Sequence, residues 1–376
     1  MMGPALTKGK SRHVMGLRIA LTLLVLILLP TTASCQSAQP LPGKPPHHTS
    51  EGFRNTDPIQ IRSLWEVAKW RWLRIWDGIP ERHNPGPDFS LAENNPEFLR
   101  TNTTVPTLTW IGHAGFLLQV GGVNLLTDPH MSERASPFSW AGPKRLAPPG
   151  LTMEQLPTIH AVLISHNHYD HLDVGTVRAL ARRPENPRFF VPLGLKAWFA
   201  DLDIFNVVEM DWWEEAEYLG LRIMAVEARH FSRRGPFDAM QTLWAGWAVL
   251  HPTLRFYHAG DTGYGAFFKE IRRRIGPLDL VALPIGAYEP RWFMKEVHLN
   301  PAEAVQAYQD LQARYAVGMH WGMFDLTDEL PETPPRVLQE ELVKKGIPGE
   351  KFFVLQHGET RPLAPLLPAK RLAHTQ

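Results

Sequence analysis

From residue 107 onward, short apolar runs alternate with breaks containing glycine or proline. "TLTWI" (107–111), "GFLLQV" (115–120) and "VNLLTDP" (123–129) read as strands, and Gly121-Gly122 marks the turn between the last two. The series continues with "HAVLIS" (160–165), "RFFVP" (188–192), "LRIMAVEA" (221–228), "LWAGWAVL" (243–250), "RFYHAGD" (255–261) and "LDLVALPI" (278–285). Helical periodicity falls between them, near 174–183, 194–201, 264–275 and 301–313. Two groups of strands, each followed by helices, predict sheets covered by helices: an α/β layered sandwich. The β-rich opening argues against a simple doubly wound parallel sheet.

The N-terminal third follows other patterns. "IALTLLVLILL" (19–29) is too short for a comfortable membrane span and suits the core of a signal peptide. Lys8, Lys10, Arg12 and Arg18 flank it, and no acid precedes Glu51. The only cysteine, Cys35, ends "TTASC", which resembles a bacterial lipoprotein cleavage site; Thr32 stands where leucine is more usual. The other reading is an ordinary signal peptide with Cys35 incidental. Gln36, in place of an aspartate, removes the usual inner-membrane retention signal. The expected location is therefore the cell envelope, outer membrane or periplasm, with the chain lipid-anchored through Cys35. Residues 1–34 read as the signal peptide, and 35–52 as a Pro-rich tether in which His47 and His48 are expected to be solvated linker residues with no metal role. Residues 53–104 form a helical and loop extension, and 105–365 the main domain. Within the extension, "SLWEVAKWRWLRIW" (63–76) places Leu64, Trp65, Val67, Ala68, Trp72 and Ile75 near helical spacing, with Trp70, Arg71 and Arg74 to another side. Such a helix either packs on the domain or rests on lipid headgroups, where Trp and Arg are at home.

Charge narrows the function. The chain carries +1 with histidines neutral; loss of residues 1–34 removes four basic residues and no acid, leaving −3. Neither value makes an electrostatic case for nucleic acid.

The chemistry concentrates in "LISHNHYDHLD" (163–173), with three histidines and two aspartates at the mouth of a strand. His166 and His168 are two apart, so an extended backbone points them the same way. Asp170 and His171 follow as the chain turns toward a helix. Imidazole with carboxylate suits zinc and similar divalent ions. His230 in "VEARHFS", Asp261 in "FYHAGDTG" and His320 in "AVGMHWG" each end a further β-like run. One histidine after a strand is usually structural, but this ordered set supplies ligands for two ions.

The set resembles the metallo-β-lactamase superfamily signature, His-x-His-x-Asp-His followed by later His, Asp and His. That resemblance implies an αββα four-layer sandwich with a dinuclear site at one edge. It implies one metal on His166, His168 and His230, a second on Asp170, His171 and His320, and Asp261 bridging. "LTDPHMSERASPFSWAGP", "DWWEE", "FYHAGDTGYG", "LPIGAYEPRWFMKEVHLNPAEAVQ" and "HWGMFDL" are similar to the N-acylphosphatidylethanolamine-hydrolysing phospholipase D family over about residues 105–330. This implies hydrolysis of that phospholipid to N-acylethanolamine and phosphatidic acid, a membrane-surface substrate, and a homodimer. The lipoprotein-like start departs from the animal enzymes and points to a bacterial relative.

Two divalent ions, zinc by default, activate water and clamp a phosphodiester, so no serine or cysteine nucleophile is needed. Asp170, Asp261 and His298 are the catalytic candidates, with Asp170 orienting the nucleophile and His298 facing phosphate or serving only its loop. Asp128 is expected to hold a ligand histidine by hydrogen bond. His113 lies near the metals or in a turn. Tyr169, Tyr288, Arg291 and Trp292 are candidates to support the site or line a headgroup. Gly260 and Gly263 give Asp261 a tight turn. Two competing readings remain. One is a metallo-hydrolase of small soluble esters, lactones or phosphodiesters. The other is a non-catalytic binding protein, which would lack ligands that are all present here.

Overall fold

The computed structural model describes residues 39–79 and 89–367; the signal-peptide stretch and Cys35 lie outside them. Two seven-stranded mixed sheets stack face to face with helices on their outer faces, an αββα sandwich.

The first sheet runs β16-β3-β4-β5-β6-β7-β8. Its strands are β3 (Thr107–Gly112), β4 (Gly115–Val120), β5 (Val123–Thr127), β6 (Ala161–Leu163), β7 (Arg188–Pro192), β8 (Val207–Met210) and β16 (Thr360–Pro362). Strands β3, β4 and β5 form an antiparallel meander, and β5 through β8 pair in parallel. The second sheet runs β9-β10-β11-β12-β13-β14-β15. It comprises β9 (Glu215–Tyr218), β10 (Leu221–Val226), β11 (Gly246–Leu250), β12 (Arg255–His258), β13 (Leu280–Pro284), β14 (Tyr315–Met319) and β15 (Phe352–Val354). It is antiparallel up to β12 and parallel beyond.

Nearly every residue of β3 to β6 is buried, because both faces of the sheet are covered. The period of two divides them. Leu117, Leu126, Val162 and Phe189 pack outward against Leu99 of α2 (Pro96–Thr101), Val177 and Leu180 of α3 (Val174–Ala181) and Phe199 of α4 (Leu195–Ala200). Their sequence neighbours Phe116, Leu118, Leu163 and Phe190 are also buried, on the opposite face. The indole N–H of Trp247 on β11 donates to the Ile164 carbonyl at 3.0 Å, tying the sheets together beside "SHNHYDH". Three of the outer helices are α5 (Phe267–Ile275), α7 (Pro301–Leu311) and α8 (Thr333–Lys344), and α6 (Arg291–Met294) is a single turn. Asn300 caps α7 in a capping box with Glu303, with Pro301 at its first turn. Helix α8 and strands β8, β9, β15 and β16 are short or polar enough that no clear period marks them in the sequence.

The segment expected to be a solvated tether is ordered. Strands β1 (His48–Thr49) and β2 (Gly52–Phe53) form a small hairpin, and Phe53 N–H donates to the Met240 carbonyl at 2.8 Å. His47 is only 6% exposed, which corrects its reading as a solvated residue. Helix α1 (Leu64–Trp76) belongs to a separate unit, Ile61–Ile79. Ser63 and Glu66 cap it reciprocally, the Glu66 carboxylate accepting from Ser63 N–H at 2.8 Å. Trp65, Trp72, Ile75 and Trp76 are exposed along it. Among the described residues no helix is long and apolar enough to cross a membrane.

Candidate metal centre

The expected ligands all arrive at one edge of the sandwich, from loops that leave strand ends. His166, His168, Asp170 and His171 follow β6, His230 follows β10, Asp261 follows β12 and His320 follows β14. His166 Nε2 lies 2.8 Å from His168 Nδ1, and His230 Nε2 lies 3.2 Å from the same atom. His171 Nε2 and His320 Nε2 are 3.3 Å apart. Asp261 reaches both groups: Oδ2 is 3.1 Å from His171 and 3.8 Å from His230, and Oδ1 is 3.0 Å from His320. Asp170 Oδ2 is 3.5 Å from His171 Nε2 and from His320 Nε2.

The side chains behind these residues fix their orientation. Asp128, fully buried at the end of β5, accepts from Ser165 N–H at 2.6 Å, from Ser165 Oγ at 2.7 Å and from His171 Nδ1 at 2.9 Å. That is the hydrogen bond expected of it, and it frees His171 Nε2 to face the cluster. Ser165 Oγ also lies 2.9 Å from His166 Nδ1, and His230 Nδ1 lies 3.0 Å from the Val297 carbonyl. Three candidate-ligand imidazoles thus have their outer nitrogen held, the usual arrangement behind metal-binding histidines. His113 faces the site rather than only turning the chain, with Nε2 2.9 Å from Asp170 Oδ2. His113, Asp128 and His320 have φ of +55°, +35° and +63°. Strained backbone of this kind persists where a surrounding network holds it. At Gly260 (φ +61°) a β-carbon would fall 2.7 Å from Ser165 Cβ, and at Gly263 one would fall 2.2 Å from the Glu296 carbonyl oxygen. Both glycines let Asp261 approach closely.

Other candidates separate here. His298 sits beside the cluster, Nδ1 4.0 Å from Asp261 Oδ2, and this buried nitrogen has no hydrogen-bond partner. Arg291 is engaged away from any headgroup: its guanidinium grips Glu303 at 2.8 and 3.0 Å and donates to the His298 carbonyl at 3.1 Å. It therefore braces the His298 loop. Tyr169 is likewise occupied; its hydroxyl donates to the Arg234 carbonyl at 3.1 Å, and the Arg234 guanidinium lies 4.0 Å above its ring. Tyr288 is buried near Glu329 and Glu289, and burial with those charges pushes its hydroxyl up to about 12. Trp292 is partly exposed on α6.

Sequence reasoning missed Ser165 and Asn55. Asn55 accepts from His230 N–H at 3.1 Å and donates to the His230 carbonyl at 2.8 Å. Ser165 had a signal, since it directly precedes His166; Asn55 had none.

The electrostatics are those of a cation site. Among the described residues, only imidazoles come within ion-pair distance of Asp170 and Asp261. Burial opposes both carboxylates, yet the facing imidazoles hold them well below the usual range. Burial also opposes charge on His171 and His320. The aspartates outweigh it, holding His171 well above the usual imidazole range and His320 up to about 9. Burial and neighbouring imidazoles push His166 and His230 far down. Asp261 Oδ1 has no aligned hydrogen-bond donor, and His320 Nδ1 is likewise buried without a partner. Nitrogens around one tetrahedral zinc lie about 3.3 Å apart, close to the spacing here. The donor set therefore fits divalent ions, with partly exposed His168, Asp170 and His298 marking the open side. A small cleft lies against the buried rings of His113 and His320, lined by Ala287, Trp321, Phe324 and Leu326 and by the acids Asp325 and Glu329.

Known proteins show the same relationships. A β-lactamase superfamily domain is matched over residues 123–321. The chain is 40% identical over 263 residues to the N-acyl-phosphatidylethanolamine-hydrolyzing phospholipase D 1 of Caenorhabditis elegans, covering 67% of this chain and 74% of that one. It is 34% identical over 261 residues to the mitochondrial N-acyl-phosphatidylethanolamine-hydrolyzing phospholipase D of Saccharomyces cerevisiae, covering 67% of this chain and 55% of that one. An isothiocyanate hydrolase from Delia radicum gut bacteria shares the fold, with a TM-score of 0.56 at 21% identity, covering 68% of this chain and 98% of the other.

Proposed function

This chain belongs to the β-lactamase superfamily and, within it, to the N-acyl-phosphatidylethanolamine-hydrolyzing phospholipase D family, and from that premise we propose that it is a phospholipase D type phosphodiesterase of N-acylphosphatidylethanolamine. The chain is a metal-dependent hydrolase of the metallo-β-lactamase fold. The observation that carries it is the pair of carboxylates, Asp261 buried and Asp170 15% exposed, faced only by imidazoles among the described residues. The lipid substrate rests on the kinship with the two phospholipases.

His166, His168 and His230 would hold one divalent ion, and Asp170, His171 and His320 a second, with Asp261 shared. When bound, such ions, zinc by ligand chemistry, lower the pKa of water and offset charge on a phosphodiester. The chain's own residues do the rest. Asp170, held by His113 and 15% exposed, would orient the attacking water. The water oxygen bonds to phosphorus as the phosphorus–oxygen bond to N-acylethanolamine breaks. The displaced proton ends on the departing ethanolamine oxygen, leaving phosphatidic acid. His298 offers its unpartnered ring nitrogen to a phosphoryl oxygen, and Arg291 fixes the loop that carries it. The reading also places the enzyme at a membrane surface, supported by the exposed indoles of α1.

Purified protein given N-acylphosphatidylethanolamine in mixed micelles is expected to release N-acylethanolamine and phosphatidic acid, detected by mass spectrometry. Asp170→Asn is expected to lose turnover and to weaken binding of the ion it would share with His171 and His320, while the ion on His166, His168 and His230 is kept. Metal-loaded wild-type protein that turns over soluble esters or phosphodiesters but no phospholipid would overturn the lipid assignment.

A further inference from the structure

A second cluster of ligand-type side chains lies outside the centre described above. His47 and His48, from the N-terminal hairpin, meet Asp211, which follows β8. His47 Nε2 lies 2.6 Å from Asp211 Oδ1, and His48 Nε2 lies 2.7 Å from Oδ2. We propose that His47, His48 and Asp211 form an additional divalent-metal site, of zinc type, that fastens the N-terminal hairpin to the sandwich.

The donor types come first. Two imidazoles and one carboxylate are a zinc ligand set that leaves a fourth position for water. Two nitrogen donors favour zinc, cobalt or nickel over magnesium or calcium. The three donor atoms lie within 4.8 Å of one another. The two direct contacts, at 2.6 and 2.7 Å, are tighter than the 2.8 to 3.5 Å between facing donors of the centre already described, so an entering ion would replace these hydrogen bonds and spread the three side chains slightly. A carboxylate between two imidazoles is the same local arrangement as Asp261 between His171 and His320.

Orientation comes next. Adjacent residues on an extended strand point to opposite faces, yet both Nε2 atoms here converge. A turn makes this possible, with His48 N–H donating to the Pro45 carbonyl at 3.0 Å. Ring packing then aims each imidazole. The His47 ring lies 4.4 Å from the Trp212 ring, and the Phe53 ring meets His48 edge-on at 5.1 Å. The Asp211 carboxylate is held from behind by Trp212 N–H, at 2.7 Å to Oδ1. His48 and Asp211 side chains keep 14% and 12% exposure, enough for an ion and a water to enter.

The site has a structural consequence. The hairpin leads directly to Asn55, which grips the backbone of His230 on both sides. An ion bound to His47, His48 and Asp211 therefore stabilises the segment that positions one ligand of the main centre. Its action is on position, with no contact to substrate.

The test uses the full chain and zinc itself. Wild-type, His48→Ala and Asp211→Asn proteins are equilibrated in zinc buffers, and metal content is measured by plasma mass spectrometry. Asp211→Asn keeps the shape of the side chain, which guards against loss of the hairpin through lost packing. Each variant is expected to bind one ion fewer per chain than wild type. Hydrogen exchange across residues 41–54 gives a second reading. It is expected to slow about tenfold in wild type when free zinc reaches ten times the site's Kd, and to be insensitive to zinc in both variants. Equal metal content in all three proteins, with zinc-independent exchange, would leave only a hydrogen-bonded clasp and overturn the proposal. Neither measurement depends on which substrate the enzyme turns over.

Discussion

Asp128→Asn is the sharpest probe of how the main centre is built. Asparagine is nearly isosteric, so the change acts on hydrogen-bond polarity and charge. Asp128 now accepts three hydrogen bonds, from Ser165 N–H, Ser165 Oγ and His171 Nδ1. In the variant the amide oxygen can stay on Ser165 N–H, at 2.6 Å in the wild type. The amide NH₂ then faces His171 Nδ1 and must donate to it. That reverses the tautomer: His171 carries its proton on Nε2, the atom 3.1 Å from Asp261 that faces the cluster. A protonated Nε2 cannot ligate a metal. Losing the partner behind a ligand histidine typically costs about 10- to 100-fold in affinity or activity, or about 1.4 to 2.8 kcal/mol. Competition with a chromophoric zinc chelator is expected to show a drop of that size. On the proposed ligand assignment, the loss should concern the ion that His171 would share with Asp170 and His320, and an ion on His166, His168 and His230 should be retained. The melting temperature of metal-free protein should be compared in parallel, so that weakened folding is not mistaken for weakened binding. Wild-type affinity for every ion in Asp128→Asn would refute the tautomer argument.

Other consequences follow from the same structure. Gly260→Ala forces a β-carbon to 2.7 Å from Ser165 Cβ at a φ of +61°; it is expected to lower metal occupancy and to destabilise the fold by about 1–3 kcal/mol in denaturant titration. Phe189→Ala opens a cavity between the first sheet and α4, where the Phe189 ring lies 5.1 Å from that of Phe199; it should cost about 3–5 kcal/mol of stability while metal content per folded molecule stays unchanged. Chelation should abolish hydrolysis and zinc should restore it, whereas thiol-blocking reagents should have no effect, because the only cysteine is Cys35. Replacing Trp65 and Trp76 together with alanine should reduce co-sedimentation with phospholipid vesicles several-fold and leave turnover of a soluble phosphodiester unchanged.

What the sequence determined by itself was local. A metal ligand must be a particular residue type, and in this fold it must stand where a strand ends. Both properties are visible in one dimension, so His166, His168, Asp170, His171, His230, Asp261 and His320 could be chosen as candidate ligands before any coordinates were known, and the fold brings these candidates together. The strands β3 to β7 and β11 to β13 were legible for a related reason, since burial on both faces writes largely continuous apolar runs. Strands β9 and β16, at sheet edges and largely polar, left no such trace. The tertiary structure decided everything that depends on which distant segments meet. A Pro-rich stretch with two histidines looks like a tether until Asp211, 163 residues beyond His48, is found against it. Asn55 carries no sign of its grip on His230, 175 residues away. An arginine near a phosphate site looks like a headgroup ligand until Glu303 is found to occupy it. Residue chemistry is a property of single positions, but partnership is set by how the two sheets stack, and only the folded chain specifies that.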